Sequence, residues 1–494
     1  MPDNTLQSID ARTGQPHGAA WPESTPAEID AAVAAAASAA DAFAATSAAD
    51  RTALLRALAE ALEAQREALV PVADRESGLG PVRLNGELDR TAFQLRGFAD
   101  VLERGAAHTV LDDAAVAGAP PAGRPRLTRV RVPVGPVAMF SASNFPFAFS
   151  VLGGDTASAL AAGCPVVVKA HPAHPELSRQ TAALAQSVVA ARGLPAGVFQ
   201  LVQGGSIEAG VRLVQAPAIA AVAFTGSFKG GTALAKVAAE RQRPIPFYGE
   251  LGSVNPLVAL PSALQANGAA LAETLAGSIC LGSGQFCTSP GVIVVRQDAS
   301  GDAFVQALAD KLRPLAPHAM LTPGIRGAFD RGVAAWRGHG KLRALVSETA
   351  EAGATPRPFL GEVQAADFIA DPALHEEVFG SAALVVRVAS IEETVAVLQA
   401  IGGSLTVTLW GADADTAEHR ALVRAATQVA GRVLFAGVPT GVAVTGAQMH
   451  GGPYPASTAP FTTSVGYAAL ARFLRPVALQ DAPAWLIERN GVPC

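Results

Sequence analysis

The chain has 494 residues, half of them hydrophobic, with 48 glycines and 35 prolines. That length is too great for one ordinary domain and points to two large lobes with filled cores and many short connections. Its 37 basic and 42 acidic residues leave a net charge of −5, which excludes a general attraction to nucleic acid or an anionic membrane.

Helical apolar spacing covers 26–70 and 86–104, and Thr25-Pro26-Ala27-Glu28 is a helix start. The Ala-rich stretch 32–49 within the first region carries Asp41 and several serines and reads as a soluble helix. A stretch rich in Pro and Gly at 117–126 breaks the pattern, and the alternating 127–132 reads as a half-exposed strand. From 136, short apolar runs at 137–140, 166–169, 199–202 and 221–225 alternate with helices, notably 178–192 and 231–241. After Glu250 a second alternation offers strands at 255–260, 291–296, 383–388, 405–410 and 432–436. Such alternation builds crossover units, hence an α/β fold of parallel sheets covered on both faces. A cofactor lobe is expected before about residue 249 and a catalytic lobe from there to about 440.

Four cysteines, at 164, 280, 287 and 494, show no metal-ligand spacing, so no metal site is expected. So few thiols in so long a chain fit a reducing compartment. The opening Met-Pro-Asp-Asn-Thr-Leu is no secretory signal and no run of about 18 apolar residues is free of charge, Gly or Pro, so the expected address is the cytoplasm. His171 and His174 stand three apart, yet Pro172 and Pro175 break the helix that a metal pair at that spacing needs.

Ligands of open parallel sheets bind at the carboxyl ends of strands, and two segments sit there. Phe224-Thr225-Gly226-Ser227 closes a strand before a helix, where backbone N–H groups and the helix dipole can hold a pyrophosphate; an ordinary strand–turn–helix corner has the same sequence. Gly-x-Gly-x-x-Gly is not found at this corner, which disfavours a standard Rossmann turn. Lys169, closing the preceding strand, is either a ligand of adenosine ribose or a solvated strand cap. Cys287 follows the run Gly282-Ser283-Gly284-Gln285, which lets backbone approach a substrate closely, and suits a nucleophile. Glu250 lies between Gly249 and Leu251-Gly252 at a strand end, a setting that raises a carboxyl pKa and suits a general base. A buried inert thiol and a plain salt-bridge carboxylate are the bland alternatives for these two.

Five segments together resemble the aldehyde dehydrogenase superfamily over nearly the whole chain: Asn144-Phe145-Pro146, Phe224-Thr225-Gly226-Ser227, Glu250-Leu251-Gly252, Gly284-Gln285-Phe286-Cys287-Thr288 and Glu377-Val378-Phe379-Gly380. The resemblance implies that Cys287 attacks the aldehyde carbon, that the Asn144 amide and the Cys287 N–H hold the oxyanion, and that Glu250 activates the water that hydrolyses a thioester. It implies a cofactor held by Lys169, Thr225, Gly226 and Ser227, with Glu377 on the nicotinamide ribose and Phe379 against the ring. It also implies a dinucleotide-binding domain at 1–110 and 133–249, a catalytic domain at 250–440, and oligomerisation or bridging segments at 111–132 and 466–494. Relatives pair through such segments, so a homodimer or homotetramer is expected.

Lys169-Ala170-His171-Pro172-Ala173-His174-Pro175, His450-Gly451-Gly452-Pro453-Tyr454-Pro455 and 471–477 resemble a branch acting on 2-oxoglutarate semialdehyde (2,5-dioxopentanoate), at the end of bacterial sugar-acid or hydroxyproline breakdown. Broad aliphatic specificity, transfer of the thioester to coenzyme A and a non-catalytic scaffold are the rival readings. A substrate carboxylate calls for an arginine, with Arg83 and Arg90 as candidates, and Phe147, Phe149, Phe286 and Phe461 as channel walls. Two departures stand out. Ser253-Val254 replaces the usual Gly-Lys after Glu250-Leu251-Gly252, and Pro172 replaces the Glu with which many NAD-using relatives grip the 2′-hydroxyl. Losing that carboxylate beside Lys169 favours NADP; no arginine in 203–208 completes a phosphate clamp, so NAD stays open.

Overall fold

In the computed structural model residues 5–105, 110–348 and 355–488 are described, and Cys494 lies outside them. Thr25 caps the first helix, Pro26–Ala44: its hydroxyl accepts from the Glu28 N–H at 3.2 Å while the Glu28 carboxylate accepts from the Thr25 N–H at 2.7 Å. The helical spacing over 26–70 is divided among three helices. Ser47 and Asp50 form a second capping box that starts Ala48–Ala64, and Arg66–Ser77 follows. The next helix, Pro81–Glu103, begins five residues ahead of its apolar pattern because Pro81 sits in its first turn.

A five-stranded sheet runs in the order Phe199–Val202, Val166–Lys169, Val137–Phe140, Ala221–Thr225, Phe247–Glu250, with all neighbours parallel. Its central strands Val137–Phe140 and Val166–Lys169 are buried at every position, as a sheet covered on both faces requires. The helix Gly154–Ala162, buried throughout, went unread because an apolar run has no amphipathic period. A seven-stranded sheet follows the order Arg343–Val346, Phe359–Gln364, Ala382–Val388, Val292–Arg296, Leu257–Ala259, Ser404–Trp410, Ala430–Leu434. Its first pair is antiparallel, and the other five pairs are parallel. The first two strands of that order were not foreseen.

The alternating strand Leu127–Pro133 is the middle of a three-stranded antiparallel sheet, between Leu474–Gln480 and Leu111–Asp113. Just before Leu474, Arg472 enters the first lobe. It donates to Asp155 at 2.6 Å with both side chains buried, and its guanidinium lies 5.8 Å from the Tyr248 ring centre. An N-terminal hairpin, Thr5–Ile9 with Pro16–Pro22, packs on the same lobe. Ser8 in it donates to the buried Glu76, whose carboxylate also takes the Glu176 and Leu177 N–H groups, each at 2.9 Å, at the start of helix Pro175–Ala191. Among the described residues no helix is long and apolar enough to cross a membrane.

Replacing Arg472 with Met strands Asp155 without its partner. The variant should lose about 3–5 kcal/mol of stability, read as a lower melting temperature by calorimetry; an unchanged melting curve would show the pair to be dispensable.

Candidate active site

Cys287 stands where helix Pro261–Cys280 turns back toward strand Val292–Arg296. The turn is left-handed at three successive residues, Gly282 (φ 58°), Ser283 (φ 58°) and Gly284 (φ 69°). Gly284 has a second reason to be glycine, since a side chain there would run into the Gly380 carbonyl. Contacts to two remote residues, Leu321 and Asn255, hold the loop. Gln285 accepts the Leu321 N–H at 3.0 Å, and the Asn255 amide donates to the carbonyls of Cys287 at 2.8 Å and Ser289 at 3.0 Å. Ser253, the departure from the usual Gly-Lys, has a structural duty: its hydroxyl donates to Asn255 Oδ1 at 2.8 Å and accepts the Leu405 N–H at 2.9 Å.

Asn144, on the turn after strand Val137–Phe140, is brought to the same loop. Its Nδ2 donates to the Gln285 carbonyl at 2.9 Å, which leaves the second N–H of that amide for an oxyanion. Glu250, at the end of strand Phe247–Glu250, is buried. His450 Nε2 lies 2.9 Å from Glu250 Oε1 and 3.5 Å from Cys287 Sγ, and the Ser464 hydroxyl donates to Glu250 Oε2. The ligating atoms of Glu250, Cys287 and His450 all fall within 4.8 Å of one another. Sequence reading noticed His450 only as part of a branch motif and assigned it no role. Distance along the chain hid it, and the one local signal is that a His precedes two glycines.

Burial opposes the charge on both reacting groups. Contrary to the raised pKa expected from its sequence setting, at Glu250 burial is outweighed by the adjacent His450, with its hydrogen bond and that of Ser464, which hold the carboxyl below its usual range. The Cys287 thiol is pushed well above the usual thiol range by burial and then by the Glu250 and Glu377 carboxylates, against a weaker pull from Arg90. The resting pair is therefore a carboxylate beside a protonated thiol.

The wall facing Cys287 combines aromatics and cations. Phe145 and Phe149 meet at a tilt with ring centres 5.2 Å apart, and Phe286 meets Phe145 edge-on at 5.1 Å. The Arg83 guanidinium lies 4.6 Å from the Phe286 ring centre and donates to the Asn144 carbonyl at 2.7 Å. Arg90 lies 5.9 Å from the Phe149 ring centre and donates to the Val442 carbonyl. Arg432, which sequence reading passed over, donates to the carbonyls of Gly441 at 3.0 Å and Pro439 at 2.7 Å and acts on the Cys287 charge. Two expectations are corrected. Phe147 is 2% exposed and packs in the core with Leu84, Leu88 and Leu177, because the turn that puts 145 and 149 on one side puts 147 on the other. Phe461 is 98% exposed and lines no wall.

The carboxyl ends of the five-stranded sheet fit a dinucleotide. Ser227 caps helix Phe228–Ala239, its hydroxyl accepting the Gly230 N–H at 3.2 Å, and Thr225 Oγ1 is buried without a partner beside it. Gly226 precedes that helix without a side chain to cover its N-terminus. Lys169 is buried and donates to the Ala170 carbonyl at 3.2 Å and to the Gly204 carbonyl. Glu377 and Phe379 come from the turn after Pro372–His375 in the other lobe. The Glu377 carboxylate lies 2.6 Å from where a Gly252 Cβ would stand. Although it opens onto the groove, the protein crowded around it pushes its pKa up to about 8, against a hydrogen bond from the Ser253 N–H. His171 and His174 serve the fold: His174 meets the Ala142 carbonyl at 2.9 Å, and His171 Nδ1 accepts the Ala173 N–H at 3.1 Å.

Iodoacetamide should alkylate Cys287 slowly at neutral pH and faster as pH rises through the thiol range. Glu250→Gln removes a negative neighbour, so its alkylation profile should move to lower pH; an unmoved profile would mean the carboxylate does not act on the thiol. His450→Gln should lower turnover on the order of 100-fold with little change in melting temperature, checked by steady-state kinetics beside calorimetry.

The profile of the aldehyde dehydrogenase family matches residues 2–452. The chain is 43% identical over 494 residues to alpha-ketoglutaric semialdehyde dehydrogenase 2 of Azospirillum brasilense, covering 98% of this chain and 93% of that one. It is 39% identical to alpha-ketoglutaric semialdehyde dehydrogenase of Acinetobacter baylyi, covering 99% and 94%. Among solved structures, the NAD-dependent aldehyde dehydrogenase of Sinorhizobium meliloti superposes with a TM-score of 0.80 at 25% identity, over 97% of this chain and 92% of that one. A thiol, an amide donor and a carboxylate meet at the mouth of two parallel sheets in a chain matched almost throughout by one profile, and so the chain belongs to the aldehyde dehydrogenase family and is an oxidoreductase that uses a nicotinamide dinucleotide.

Proposed function

We propose that the enzyme oxidises 2-oxoglutarate semialdehyde to 2-oxoglutarate through a thioester on Cys287. The observation that carries the substrate is Arg90. Its Nε and Nη2, the edge of a guanidinium that grips a carboxylate with two parallel bonds, are buried and have no partner among the described residues. Arg83 Nη1 and Arg432 Nε are likewise buried and unpaired. Glu87 acts on both Arg83 and Arg90, one carboxylate against two guanidiniums, so positive charge remains for a substrate anion. Two relatives named for this substrate, together spanning the chain, support the same reading.

In this reading the Cys287 proton passes to the Glu250–His450 pair as sulfur bonds to the aldehyde carbon. The oxyanion of the thiohemiacetal takes the free Asn144 N–H and the Cys287 N–H. When bound, the dinucleotide supplies the hydride acceptor. Thr225, Gly226 and Ser227 hold its pyrophosphate, Lys169 its adenosine ribose, Glu377 and Phe379 its nicotinamide end. Once the pair has released that first proton to solvent, Glu250, steadied by Ser464 and His450, takes a proton from the water that attacks the thioester, and this proton returns to the Cys287 sulfur as the acid leaves. Residues 1–110 and 133–249 bind the dinucleotide and 250–440 carry the chemistry. Segments 111–132 and 466–494 join copies into a homodimer or homotetramer, and the enzyme works in the cytoplasm. Pro172 by itself points to NADP; the corner around Lys169 holds a further carboxylate, Glu23, that points to NAD.

Replacing Arg90 with Met should raise KM for 2-oxoglutarate semialdehyde on the order of 100-fold while kcat/KM for a simple alkanal stays within a few-fold. Equal losses on both substrates would remove Arg90 from the carboxylate pocket, and a wild-type enzyme that prefers the alkanal would remove the pocket itself.

A further inference from the structure

Lys169 and the segment that follows the N-terminal hairpin meet at one pair of glycines. Strand Pro16–Pro22 ends one residue before Glu23. Ser24 then joins the end of the five-stranded sheet: its N–H donates to the Gln203 carbonyl at 2.8 Å, and its hydroxyl accepts the Gln203 N–H at 3.0 Å. This pairing places Glu23 over Gly204-Gly205. Its Oε1 accepts the Gly205 N–H at 2.6 Å, and its Oε2 lies 3.0 Å from where a Gly204 Cβ would stand. Lys169 Nζ donates to the carbonyl of the same Gly204. Pro172 closes the corner, its Cβ 3.8 Å from the Cβ position of Gly205. Burial pulls the Lys169 pKa down to about 8, and Glu23 is the charged group that acts against that fall. Glu23 is only half-buried and Pro172 is exposed, so the corner opens to a ligand.

We propose that Glu23 is the residue that selects the dinucleotide, accepting from the adenosine ribose hydroxyls beside Lys169 and repelling a 2′-phosphate, so that the enzyme prefers NAD. Pro172 removes a carboxylate locally, and the hairpin returns one from outside the sheet. The sign is set by charge: a ribose diol donates to a carboxylate, whereas a 2′-phosphate brings like charge against it in a partly desolvated corner. No arginine in 203–208 compensates. This inference rests on the dinucleotide-dependent reading above and adds the choice between its two cofactors.

The test is equilibrium binding, without turnover, of NADH and NADPH followed by nicotinamide fluorescence, with adenosine 2′,5′-bisphosphate and 5′-AMP as competitors. Wild type should bind NADH at least about 10-fold tighter than NADPH, a margin that shrinks as salt is added. Glu23→Gln keeps the size and one acceptor of the side chain; it should tighten NADPH by about 10-fold and weaken NADH a few-fold, with the same melting temperature. Glu23→Ala should move the ratio in the same direction. A wild type that prefers NADPH, or variants whose ratio does not move, overturns the role of Glu23 and leaves the dehydrogenase reading intact. Binding of neither dinucleotide overturns both.

Discussion

A carboxylate buried at the end of strand Phe247–Glu250 is the constraint on which the site is built. An ionised group away from water is tolerated only with close partners, and Glu250 finds them far along the chain, in His450 and Ser464. The chain between those two residues also lies along the strand: Leu251 donates to the Ala456 carbonyl at 2.8 Å, and Thr458 donates to the Gly249 carbonyl at 3.0 Å. Charge pairing and backbone pairing thus fix the same stretch in one register. What they fix is the imidazole that stands between the base and the nucleophile.

The same economy governs the cations. Arg83 and Arg90 are held out of water on aromatic faces, each tied to a backbone carbonyl that keeps its guanidinium from swinging away. A lysine would gain less there, since its ammonium is more strongly hydrated and offers no planar fork. Preorganised cations with buried unpaired donors carry a desolvation cost, which a bound carboxylate of the proposed substrate would offset.

Most strands of the two large sheets were legible because buried strands are short apolar runs ended by polar or Gly residues; Arg343–Val346 and Phe359–Gln364, at the edge of the seven-stranded sheet, were not. Glu250 and Cys287 stood out because each sits in a short Gly-rich segment, and Asn144 through the resemblance of Asn144-Phe145-Pro146 to a family motif. What escaped was whatever the fold brings from far away. Asn255, Arg432 and His450 have ordinary neighbours in sequence, and their value lies in the carbonyl, charge or thiol that topology sets beside them. Glu23 is the extreme case, read as part of an unremarked N-terminal stretch. Phe147 failed for a different reason: an apolar residue near a motif carries no mark of which way its turn will face, and here Phe145 and Phe149, four apart, took the open side.

Gly284 and Gly380 are in backbone contact, and Gly380 in turn packs under the Phe329 ring. The loop that carries the thiol and the loop that carries Glu377 and Phe379 therefore behave as one mechanical part. Neither can shift by an ångström without pushing the other. A displacement of the Glu377 loop toward Gly284 would press on the turn that leads to Cys287, so the proposed sugar ligand and the nucleophile rest on one shared support.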